Sequence, residues 1–164
     1  MKNKVKKNIK FIPLVFNILL PLLGGLLVGY INRNTMDTYN ALKKSFLTPP
    51  NIVFPIVWSI LYVLMGIAAY RIYIKNKINN DDGGAYFFYL IQLIINFAWS
   101  FIFFTFRLYG LSFLWIILLL VFVVITFIKF IKIDKVAGFL LIPYIIWLVY
   151  AGVLNYFIWM LNEM

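Results

Sequence analysis

"YLIQLIINFAWSFIFF", running from Tyr89 to Phe104, is apolar enough to lie in a bilayer, yet Gln92, Asn96 and Ser100 interrupt it at intervals of four residues. Four residues is close to one helical turn, so the three polar groups line a single face, with Trp99 and Phe103 beside it. An amide left without a partner in hydrocarbon costs on the order of a few kcal/mol. The stretch therefore predicts a membrane helix with one inward-looking face.

The rest of the chain agrees. Of 164 residues, 65% are hydrophobic and only 12% charged, too few charges to cover a soluble domain of this length. Apolar stretches recur at roughly 11–31, 52–74, 85–106, 108–128 and 136–161. Each is long enough, as a helix, to cross the ~30 Å hydrocarbon core. We expect an all-α membrane protein: one domain over residues 1–164, a five-transmembrane-helix bundle, with 32–51 as its longest connection. The opening "MKNKVKKNIK" has the charge of a signal peptide, but the apolar run after it is too long and no small-x-small cleavage site follows. A retained helix is expected.

The net charge of +10 reads as topology once it is laid on five helices. Lys2, Lys4, Lys6, Lys7, Lys10, Arg71, Lys75, Lys77, Lys129, Lys132 and Lys135 fall on one side; Arg33, Lys43, Lys44 and Arg107 fall on the other. By the positive-inside rule the N-terminus is cytoplasmic and the C-terminus outside. Scattered over short loops, these cations give no support to a nucleic-acid partner. Cysteine and histidine are both absent, which removes disulfides, thiol catalysis and the usual zinc, copper and haem-iron ligands. The five acids, Asp37, Asp81, Asp82, Asp134 and Glu163, all fall in loops or at an end, so no carboxylate serves ion coupling at membrane depth. No metal site is expected, and no nucleophile–base pair is visible.

Two other helices share the riddle of the first. In the second, Phe54, Trp58, Tyr62, Met65 and Ala69 fall on one face; in the fifth, Tyr144, Trp147, Ala151, Asn155 and Trp159 do. The fourth, "LSFLWIILLLVFVVITFIKF", has no polar stripe and is expected to face lipid, with Trp115 in the interfacial aromatic belt. Gly25 and Gly29 make a G-x-x-x-G, which permits either packing inside the bundle or a homodimer. On pattern alone, Gln92, Asn96 and Asn155 either pin helices together or line a pocket of aromatics with a few polar atoms.

Four blocks, in order, carry a resemblance: "TYNALKKSFLTPP", "FPIVWSILYVLMGIAAY", "QLIINFAWSFIFF" and "IPYIIWLVYAGVLNYFIW". They resemble the W-Y-x-x-L-x-K-P-x-W-x-P-P, V-W-x-x-L-Y-x-x-M-G, Q-L-x-x-N-x-x-W-x-x-x-F-F and P-Y-x-x-W-x-x-x-A-x-x-L-N blocks of the TspO/MBR family. That family holds the bacterial tryptophan-rich sensory proteins and the mitochondrial translocator protein, or peripheral-type benzodiazepine receptor. The resemblance implies a five-helix bundle that binds porphyrins and other flat hydrophobic molecules in a pocket roofed by the first connection. Carried over, the pocket residues are Tyr39 and Leu42 from the lid, Trp58 and Tyr62, Asn96 and Trp99, and Trp147 with Ala151. It tips the reading of the three faces towards a pocket.

The lid departs from the pattern at Thr38, Ser45 and Leu47, and Phe97 stands where tryptophan is common, so the lid is poorer in indole. No Lys or Arg follows Tyr156 in "VLNYFIWMLNEM", so the cholesterol-recognition pattern is absent. The expected role is a transport, receptor or sensory protein of a bacterial cell membrane. It takes a protoporphyrin-type ligand at the pocket and requires no cofactor. The alternatives are a photo-oxidative porphyrin-degrading enzyme using Trp58 and Trp147, and a scaffold whose faces only pack helices.

Overall fold

The computed structural model describes residues 10–79 and 84–164, the side chains of 77–79 excepted. The N-terminal lysines before Lys10, the side chain of Lys77, and Asp81 and Asp82 lie outside what is described. Among the described residues, five helical spans are long and apolar enough to cross a membrane. They comprise α1 (Phe11–Ile31), α3 (Val53–Asn79), α4 (Gly84–Ser100, continued by a π-helical turn Phe101–Thr105), α5 (Tyr109–Ile133), and the pair α6 (Lys135–Phe139) and α7 (Ile142–Asn162). The connection expected at 32–51 holds a 3₁₀ turn, Asn32–Thr35, and the short α2, Met36–Ala41.

The spans close into a bundle in which α1 packs on α3 and α4, α4 on α5, α5 on α7, and α6 returns to α3. Lipid tails are as apolar as leucine, so helix contact in a bilayer depends on close packing and interhelical hydrogen bonds. Both are visible. Pro21 inside α1 has no N–H to give the Asn17 carbonyl. Gly66 lies against that oxygen and the Ile18 backbone, so closely that a Cβ at Gly66 would sit 2.6 Å from it. Met65, Ala68, Ala69 and Ile72 of α3 are then sealed from the surface, together with Tyr89 and Phe130.

At the same end α6 is made by Asp134. Its side chain accepts the Ala137 N–H at 3.0 Å, capping α6, and takes both Nε and Nη2 of Arg71 at 2.9–3.1 Å. Burial pushes this carboxyl up, but the Ala137 N–H and the Arg71 and Lys75 cations hold it below its ordinary value.

The fourth span differs from expectation. Tyr109, Ser112, Ile116, Leu119, Val123, Thr126 and Phe130 form a buried stripe, so α5 presents only its other face outward. Trp115 is no free belt residue either, since its indole N–H donates to the Ile95 carbonyl at 2.9 Å and ties α5 to α4.

Candidate functional site

Away from the Gly66 crossing the bundle opens. A cavity of about 490 Å³ lies beneath α2, walled by α1, α3, α4 with its π turn, and α7. Sequence alone explains much of the wall. Phe54, Trp58 and Tyr62 follow each other at four-residue steps on α3, and Trp58 stacks on Tyr62 with ring centres 5.5 Å apart. The π turn carries the consecutive Phe103 and Phe104, and both line the wall. Opposite them, Ala151 supplies a methyl where its neighbours supply rings, and so leaves room. The roof is Tyr39 of α2, buried against Phe54, Phe103 and Phe104.

The floor is a hydrogen-bonded chain. The Tyr62 hydroxyl donates to Asn96 Oδ1 at 2.9 Å, Asn96 Nδ2 donates to the Tyr144 oxygen at 2.8 Å, and the Tyr144 hydroxyl donates to Gln92 Oε1 at 3.1 Å. Three spans are joined through four side chains. A second knot lies beside the cavity: Asn155 Oδ1 accepts from Trp99 Nε1 at 3.1 Å and Ser112 Oγ at 3.0 Å, while its Nδ2 donates to the Tyr109 carbonyl at 3.0 Å. The polar stripe of α4 therefore pins helices at Gln92 and Asn96, and reaches the cavity only at Ser100.

Of the eight residues expected at the pocket, Tyr39, Trp58, Tyr62, Trp99 and Ala151 line the cavity. Asn96 is spent in the floor network. Leu42 reaches only a small crevice between Thr38, Phe103 and Tyr109. Trp147 stands off the wall; its ring packs edge-on against Phe54, 6.0 Å away, and Phe54 lines the cavity instead. The Trp147 indole N–H is buried without a hydrogen-bond partner. Sequence reading missed the α1 wall, Leu22, Leu26 and Gly29, because those residues differ in no way from lipid-facing ones. Gly25 is covered within the chain, since a Cβ there would run into the Tyr62 ring, whereas Gly29 faces open space.

The cations near the mouth divide. Arg33 lines the cavity, its guanidinium 4.0 Å from the Tyr30 ring centre. Lys44 lies 4.1 Å over the Tyr39 ring, and burial lowers its ammonium from the ordinary value. Lys43 is held by its backbone to Asn162. Among the described residues no carboxylate lines the cavity, so those lining residues hold no general acid–base pair. The arrangement can stack on, enclose and orient a flat apolar molecule.

The fold and site define a multi-pass membrane protein of five helices with a roofed aromatic cavity. Residues 17–160 match the TspO/MBR family. "Protein CrtK" of Rhodobacter capsulatus is 36% identical over 76% of this chain and 78% of its own length. The "Tryptophan-rich protein TspO" of Archaeoglobus fulgidus is 34% identical over 91% of this chain and 96% of its own. The "Translocator protein" of Bos taurus is 31% identical over 93% and 92%. The chain belongs to the TspO/MBR family.

Proposed function

We propose that this protein binds porphyrins and related flat hydrophobic molecules for transport or sensing. It does so in a bacterial cell membrane, with its N-terminus in the cytoplasm and the cavity roof outside. The observation that carries the reading is the cavity itself, about 490 Å³ with aromatic rings from α2, α3 and α4. That size and lining suit a ligand of drug-like dimensions or a macrocycle left partly protruding. Relatives named for sensing and translocation support the functional class. With no histidine or cysteine in the chain, free porphyrin is the expected ligand over ligated haem.

Titration of the protein in detergent with protoporphyrin should quench tryptophan fluorescence saturably. Ala151→Phe, which puts a ring where the cavity wall has only a methyl, should weaken that binding at least several-fold. Quenching that never saturates, or is indifferent to Ala151→Phe, refutes the pocket and favours a scaffold whose faces only pack helices.

The photo-oxidative reading draws support from Trp58, stacked on Tyr62 at the wall, but Trp147 stands behind Phe54. Binding is therefore the better-supported role. Under illumination, equal pigment bleaching by wild type, Trp58→Phe and Trp147→Phe is expected.

A further inference from the structure

We propose that the cavity is filled sideways from the bilayer, through a window between α1 and α3, by amphiphiles whose acidic end meets Arg33. The ligand class rests on the binding role proposed above; the route does not. Three observations carry it.

The roof is fastened on the α7 side. The Asn162 side chain pairs with both the N–H and the carbonyl of Lys43 at 3.0 Å, and the Tyr150 hydroxyl donates to the Leu47 carbonyl at 2.7 Å. Between those straps Tyr39 is wedged into the aromatic wall at 7% exposure. A ligand arriving from above must undo all three.

The opposite side is unfastened. Near the Gly66 crossing the α1 and α3 backbones touch, and at Gly25 a Cβ would already collide with Tyr62. One turn further along α1, a Cβ at Gly29 would meet nothing within 4 Å. Here the helices have parted, and the cavity wall is also outer surface. Leu26 lines the cavity yet is 58% exposed, and Pro55 and Gly29 are exposed too. The window is apolar but for Ser59, whose hydroxyl is tied to the Pro55 carbonyl at 2.8 Å, as a passage for a membrane-dissolved body should be.

At the roof end of the window stands Arg33, among the described residues the only one with a formal charge on the cavity lining. Among the described residues no carboxylate lies within ion-pair distance of it. An apolar slot with one uncompensated guanidinium at its rim suits a molecule with an apolar body and one acidic edge, and a porphyrin with its propionates is such a molecule.

The test uses the full chain in lipid nanodiscs, with protoporphyrin, its dimethyl ester and a brominated fatty acid, each read by tryptophan quenching in a stopped flow. Gly29→Phe should slow association about tenfold or more, while the strap variant Asn162→Ala leaves it within about twofold. Arg33→Gln should weaken protoporphyrin about tenfold, as expected for a charge-assisted contact, and spare the ester. Faster association in Asn162→Ala with no effect of Gly29→Phe places the route under the roof and overturns the window. Equal losses for acid and ester overturn the role of Arg33. If neither porphyrin binds the wild type, the porphyrin reading falls alone. The fatty acid then decides the window, which stands if Gly29→Phe and Arg33→Gln diminish its quenching and falls if they do not. Thermal melts of each variant separate these outcomes from misfolding.

Discussion

Asn96→Leu is the sharpest test of the floor, because it keeps the size and removes the chemistry. Asn96 is 3% exposed and makes two side-chain hydrogen bonds, accepting from Tyr62 and donating to Tyr144. Their loss is worth roughly 0.6 kcal/mol each by membrane-protein double-mutant cycles. The Tyr144 hydroxyl keeps Gln92 as its acceptor, but the Tyr62 hydroxyl is left buried with none. An orphaned donor costs about 1–3 kcal/mol. Together these give roughly 2–4 kcal/mol, or a fall in melting temperature of about 5–15 °C for a chain of this size. The decisive measurement is the second substitution. In the wild type, Tyr62→Phe should destabilise, since it strips Asn96 Oδ1 of its donor. In the Asn96→Leu background the same change should stabilise by about 1 kcal/mol or more, because it removes the orphan. Thermal or SDS unfolding of the four proteins in one detergent measures the cycle. A Tyr62→Phe effect of the same sign in both backgrounds refutes the network.

Gly66→Ala should destabilise by about 1–3 kcal/mol in the same melt, because the new methyl faces backbone at Asn17 and Ile18, which a rotamer change cannot relieve. Arg107 has φ 56°, the left-handed region, so Arg107→Gly should raise stability by about 1 kcal/mol, read as a higher melting temperature. The Asp134 carboxyl is held below its ordinary value, so the folded state favours its charged form; that stabilisation is complete above the unfolded pKa near 4 and is lost as pH falls through the lower folded pKa. A stability–pH curve should therefore decline on acidification below about pH 4, and Asp134→Asn should start lower and lack that part of the decline.

What the sequence discloses follows from what lipid can distinguish. Span number and helical class were legible because a bilayer needs runs of a set length, and membrane depth penalises polar atoms. The faces of α3, α4 and α7 were legible for the same reason: Asn96 and Asn155 cannot face hydrocarbon without partners, so they mark an inward side. The stripe of α5 was not legible. Its buried Ile116, Leu119 and Val123 differ in no chemical respect from the exposed Leu114, Ile117 and Val121, and only Ser112 and Thr126 hint at it. The π turn at Phe101–Thr105 and the Arg71–Asp134 pair, 63 residues apart, likewise leave no local mark. A polar or aromatic face gives direction and leaves depth unspecified. That is why Trp58 and Trp99 reach the cavity while Asn96 lies under it and Trp147 behind Phe54.

The position of the cavity follows from a change of residue size along one helix. At Gly66 α3 offers no side chain and α1 approaches it backbone to backbone, and with Ala68 and Ala69 fully buried the core there is closed. From Tyr62 back to Phe54 it carries rings on the same side, and α1 must lean away from them. Two rigid helices in contact at one end and held apart at the other leave a wedge of space. The Tyr62–Asn96–Tyr144–Gln92 chain marks where closed becomes open, and it supplies what the wedge otherwise lacks, a floor that cannot relax into the void because each of its polar atoms is tied to another helix. Enlarging residues on the closed half should therefore cost stability, and enlarging them on the open half, at Gly29 or Ala151, should cost ligand binding. That separation of effects is what a cavity kept open for use requires, and a packing defect would not produce it.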